Sequence, residues 1–138
     1  MYPEADVPVV QFSIDIAEPG PYHYELGKRL APLRDEGILI VGSGNVVHNL
    51  GMVAWEKMEG GTYGFDWALE FDAAVKERIE TGRDGELADH GKLGKAAALA
   101  IPTPDHYYPL LYALGARDPA EPWAVFNKEP VGGSLTMT

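Results

Sequence analysis

The chain has 138 residues, 46% of them hydrophobic and 10% aromatic, the size and character of one packed domain (1–138) rather than a disordered tail. Its 21 acidic against 11 basic residues give a formal charge of −10, which lacks the clustered positive charge that nucleic acids and anionic membrane surfaces select. The absence of cysteine excludes disulfides, thiolate metal sites and thiol catalysis; no leader-like start and no apolar run near the ~20 residues of a membrane span are visible, so the expected location is cytoplasmic.

In chain order, residues 7–14 are rich in β-branched and aromatic side chains and predict a buried strand ending at Asp15. Glu18-Pro19-Gly20-Pro21 breaks the chain, and residues 22–36 read as a helix with an apolar stripe of Leu26, Leu30 and Leu33. Pro32 interrupts that helix and Gly37 offers its stop. Residues 38–41, Ile-Leu-Ile-Val, suit a central strand covered on both faces. Strand, helix, strand in this order predicts a βαβ unit with two adjacent parallel strands, hence an α/β fold with a mostly parallel or mixed central sheet flanked by helices. Residues 65–80 form a second amphipathic helix with Ala68, Phe71, Val75 and Ile79 on one side, and residues 81–100 are loosely helical. Thr103, Pro104 and Gly115 carry cap, first-turn and stop signals for a further helix, whose start Pro109 kinks or delays. Residues 123–126 and 135–138 read as edge strands around Gly132-Gly133.

Two segments can carry chemistry. Gly42-Ser43-Gly44-Asn45-Val46-Val47-His48-Asn49 follows the carboxyl end of a predicted strand, where open α/β sheets form their ligand crevice, and places an imidazole at its end. Its alternative is a histidine bonded to a nearby carbonyl. A dinucleotide loop is disfavoured, since Val47 stands where the third glycine or alanine belongs and no phosphate-loop Gly-Lys-Ser/Thr exists. In Pro102-Thr103-Pro104-Asp105-His106, two prolines stiffen the approach to His106, as metal ligation or proton transfer requires; its alternative is a surface histidine on a helical turn. His23 and His90 read as solvated or capping residues, and Asp15 as a turn aspartate able to support a histidine.

Residues 8–15, 30–37 and 42–50, followed by the block 102–112 and the closing Gly133-Ser134-Leu135-Thr136-Met137, resemble in the same order the C-terminal half of the DOPA-type, LigB-like class III extradiol dioxygenases. The resemblance covers nearly the whole chain and is weakest over residues 51–100. It implies half of the LigB-like dioxygenase fold and a non-haem Fe(II) site, with zinc in some members, where a catechol-type aromatic ring is opened by O₂ beside its diol. It assigns His48 to proton transfer or to neighbouring the metal, and His106 to the metal site, so both are candidate metal-site residues. Neutral imidazole suits both iron and zinc, and a catechol must give up protons to chelate either. The family's other metal histidines lie in an N-terminal half that this sequence does not contain. The expected partners are therefore a catechol-type substrate, O₂, and either a separate N-terminal-half chain or further copies of this one. The alternative is a non-catalytic remnant or assembly domain of the same fold.

Overall fold

The computed structural model describes residues 3–138. Its first helix, α1 (Gly20–Leu30), begins behind Pro19, whose extended backbone breaks the chain. At Ala31 it tightens into a 3₁₀ segment, Ala31–Glu36, because Pro32 has no amide to continue an α ladder. Gly37 closes the segment with φ 81°, the left-handed conformation for which glycine is suited. Residues 22–36 are thus helical throughout, with the change of pitch at the proline.

The core lies between α2 (Asp66–Glu80), α4 (Lys95–Ala100) and α5 (Tyr108–Ala116), with the short α3 (Asp84–Leu87) beside them. Ala68, Phe71, Val75 and Ile79, the predicted stripe of α2, are all buried. Each large side chain taken fully out of water in this way stabilises by about 1.5–3 kcal/mol. Pro109 delays α5 until Tyr108, and Pro104–His106 forms a separate 3₁₀ turn ahead of it. Thr103 makes no side-chain cap, and Gly115 lies inside the helix rather than past its end. The reason is close approach: a Cβ on Gly115 would lie 2.3 Å from the Tyr24 carbonyl oxygen, and one on Gly27 would lie 2.6 Å from that of Tyr112. These two glycines let α1 and α5 cross almost backbone to backbone.

The α/β expectation holds only in part. The predicted central sheet is not formed: residues 7–14 and 38–41 belong to no helix or strand, so the parallel βαβ pairing is corrected. They are strand-like in composition, but no backbone hydrogen bond joins them, and a pair of strands without further neighbours is marginal in water. Among the described residues the sheet is a hairpin of β1 (Pro130–Val131) and β2 (Leu135–Thr136), antiparallel, with Pro130 opposite Thr136 and Val131 opposite Leu135. Gly132 and Gly133 turn it at φ 56° and 85°. Residues 123–126 form no strand. No helix among the described residues is long and apolar enough to cross a membrane.

Candidate active site

Residues 45–49 are gripped from both sides. The His48 amide donates to the Ala100 carbonyl (2.9 Å), and the Asn49 side chain donates to Leu99 (2.8 Å), which ties the segment to the end of α4. On the other side, Asn49 N donates to Ser134 O (3.0 Å) and Ser134 Oγ returns a bond to Asn49 O (2.6 Å). Thr136 N donates to Val47 O, and the Asn45 side chain donates to Thr136 O (2.7 Å). Val46 and Val47 are buried beneath. A backbone held at so many points leaves His48 little freedom except rotation of its ring.

The glycines before it bring His106 to the same place. A Cβ on Gly44 would stand 2.1 Å from the His106 carbonyl oxygen, and one on Gly42 would stand 2.5 Å from that of Pro109. The loop therefore lies directly against the segment 106–109, and Asn45 N donates to His106 O at 2.9 Å. As a result the His48 and His106 rings stack, 3.6 Å between centroids and 13° from parallel. The two histidine segments singled out in the sequence meet as expected. Gly44→Ala must push the loop off residue 106. It is expected to destabilise by about 1–3 kcal/mol, the usual cost of overpacking, and to separate the rings; urea unfolding and imidazole NMR shifts measure both effects.

Both rings are partly exposed, so a ligand can reach them. Burial, and then the neighbouring His106 imidazole, push the His48 pKa below its usual 6.5, while the Asp105 carboxylate opposes that shift. His48 is accordingly a neutral proton acceptor at pH 7. Asp105, which the sequence reading passed over, lies with Oδ2 3.5 Å from His106 Nε2. The Thr103 hydroxyl bonded to it holds its carboxyl below the ordinary value. The stacking also constrains metal binding. Imidazole holds a metal in its own ring plane at about 2.0–2.1 Å, so two parallel rings in face-to-face contact cannot both aim a lone pair at one ion. This arrangement suits one ligand with a proton acceptor lying over it. The donor chemistry fits Fe(II) or Zn(II), yet among the described residues no three His, Asp or Glu side chains converge as a ligand set.

The other two histidines are not surface groups. His23 is fully buried on α1, with Nδ1 2.9 Å from the Tyr112 hydroxyl, Nε2 3.2 Å from Glu18 O, and its ring against Tyr108. Its spacing with Gly20 and Gly27, the other buried residues of α1, was the missed signal: these three form the face that packs on α5, rather than the leucine stripe. His90 lies against Tyr107 and Tyr108, and burial lowers its pKa. A histidine kept neutral by the fold binds its proton more readily when unfolded. Stability should therefore be full above pH 6.5 and fall as pH drops below it, toward the lower folded pKa. Thermal melts from pH 7.5 to 5 should show this loss, and His90→Gln should reduce it. Asp15 accepts the amide of Ala17 at 3.0 Å and is a turn aspartate.

A family model described as the catalytic LigB subunit of aromatic ring-opening dioxygenase matches residues 1–136. The chain belongs to the LigB family. Among curated relatives, this LigB chain is 44% identical over 141 residues to a 4,5-DOPA dioxygenase extradiol of Escherichia coli (strain K12), covering 99% of the chain and 50% of that protein. It is 40% identical over 116 residues to a 4,5-DOPA dioxygenase extradiol of Beta vulgaris, covering 84% of the chain and 42% of the relative. A crystal structure of an uncharacterized protein from Escherichia coli K12 superposes with a TM-score of 0.83 at 42% identity, covering 99% of this chain and 56% of that one. The chain thus spans about half the length of the curated relatives it matches, which fits its resemblance to a C-terminal half.

Proposed function

We propose that residues 1–138 form, as one domain, the C-terminal segment of an extradiol dioxygenase that opens a catechol-type ring with O₂ at a non-haem Fe(II) site, with zinc as the other metal the donors accept. The reading is carried by one observation, the stack of His48 on His106 in a chain of the LigB family. His106 serves as a metal ligand. His48, set over it, takes a proton from the diol. When bound, the metal supplies a two-point hold on the deprotonated diol and an adjacent position for O₂. The remaining ligands come from the other half of the LigB fold, the part of the relatives that this sequence does not span. In a homo-oligomer His23 is no substitute, since it is buried and bonded to Tyr112.

Metal analysis and a catechol-cleavage assay test this on the chain alone and on the chain co-expressed with the first half of the E. coli relative. Alone, it should retain far less than one Fe(II) per chain and open no ring, because an incomplete ligand face leaves the ion mostly to water. Together, the two should hold iron and turn over. A stable pair that holds iron without turnover would favour a non-catalytic assembly domain, and turnover by the isolated chain would show that the site needs no further ligands.

A further inference from the structure

Among the described residues no lysine or arginine is paired with Asp105, and its one ion-pair contact is the imidazole of His106. Asp105 Oδ2 stands 3.5 Å from His106 Nε2, and the two side chains are 49% and 42% exposed, so an ion from solvent can reach both. The separation is long for a charge-assisted hydrogen bond, which closes to about 2.7–2.9 Å. It is the spacing of two donors on one ion. With an imidazole nitrogen at about 2.0–2.1 Å and a carboxylate oxygen at about 2.0–2.2 Å from a tetrahedral metal, the two atoms stand about 3.4 Å apart.

The local chain holds the pair at that spacing. Pro102 and Pro104 stiffen the approach, Pro104–His106 is a single 3₁₀ turn, and the Thr103 hydroxyl bonded to Asp105 restrains the carboxylate. His106 is fixed independently: its carbonyl accepts the Asn45 amide at 2.9 Å, and its ring lies against His48. The stack occupies a face of the His106 ring, whereas the carboxylate lies beside a ring nitrogen, where the lone pair of a ligating imidazole is found.

We propose that Asp105 and His106 are neighbouring ligands of one divalent cation, so that this segment offers a carboxylate and an imidazole rather than a single histidine. Fe(II) and Zn(II) both accept such a mixed oxygen and nitrogen set. The carboxylate also offsets part of the ion's charge, which a histidine alone does not. Two donors still leave the other positions of the ion to water or to further ligands, so retention by this chain alone stays weak.

The inference rests on the ligand role of His106 in the proposed function, and its test separates the two. The full 138-residue chain is titrated with Zn(II) alone, and NMR follows the His106 imidazole and the side-chain carboxyl carbon of Asp105. Both signals are expected to shift together and to saturate at the same zinc concentration. Asp105→Asn, a change of one exposed atom, should weaken zinc binding by about tenfold or more, at least the loss that follows removal of a ligand's supporting partner. Asparagine keeps an acceptor oxygen for a ring N–H but not the anion. Unchanged affinity in Asp105→Asn, or an Asp105 carboxyl that stays still while the His106 ring shifts, therefore overturns the second ligand and spares the role of His106. No zinc effect on the His106 ring overturns both.

Discussion

His48→Ala, in the chain assembled with the first half of the E. coli relative, is expected to lower kcat for catechol cleavage by about 10²–10⁴, the usual contribution of a positioned general base. Its iron content should stay unchanged. The stacked geometry makes this separation possible, because a ring lying face to face on the proposed ligand His106 cannot aim its own lone pair at the same ion. His106→Ala should do the reverse and lose iron first. Burial and the nearby His106 ring keep His48 neutral to below pH 6.5, so the wild-type acid limb of kcat/KM should fall below that value and vanish in His48→Ala. Loss of iron in both variants alike would remove the distinction and return His48 to the ligand set.

Arg117→Ala is expected to cost about 3–5 kcal/mol of folding stability, the range for removing one partner of a buried ion pair. The Arg117 guanidinium holds Asp84 through Nε at 2.7 Å and Nη2 at 3.2 Å, and Nη2 also donates to the Ile79 carbonyl at 3.0 Å. The Asp84 side chain is 6% exposed, and burial already raises its pKa against the opposing pull of the arginine. Without Arg117 the carboxyl would prefer its protonated form still more. A carboxyl whose folded pKa is raised is best accommodated below its ordinary pKa of 3.8, and the penalty grows as pH rises through the folded value. Urea unfolding at pH 7 and pH 4.5 should therefore show the larger deficit at pH 7, and equal deficits would mean that lost packing, not the stranded carboxylate, sets the cost.

What the sequence disclosed and what it hid follow from the range over which each signal acts. The buried face of α2 was legible because helical spacing is a local property, and Ala68, Phe71, Val75 and Ile79 needed only that. Gly37 was legible as a stop because its constraint is a single dihedral. Gly115 was not, since a glycine spared for chain turning and one spared for a close helix crossing look alike until α1 arrives against it. Residues 7–14 and 38–41 are strand-like in composition, but composition does not say which segment pairs with a strand, so reading them as each other's neighbours was the natural error. His48 and His106 were singled out through the blocks around them. Asp105 sat in the same block, unweighted because its proximity to the ring of His106 is visible only in three dimensions. His23 was misjudged because its partner Tyr112 lies 89 positions away.

The grip on residues 45–49 bears on the order in which the protein assembles. The bond from Asn45 to Thr136 spans 91 positions, that from Ser134 to Asn49 spans 85, and that from Asn49 to Leu99 spans 50. Closing loops of that length costs chain entropy before any contact repays it, so such pairings tend to form after local structure. The helices can develop from contacts close in sequence, while the histidine stack waits for the hairpin to arrive and for the loop to seat on residue 106. Refolding followed at Trp67, which packs against the core, should accordingly run ahead of refolding followed at the His48 ring, so that the histidine stack is among the last parts of this chain to become native.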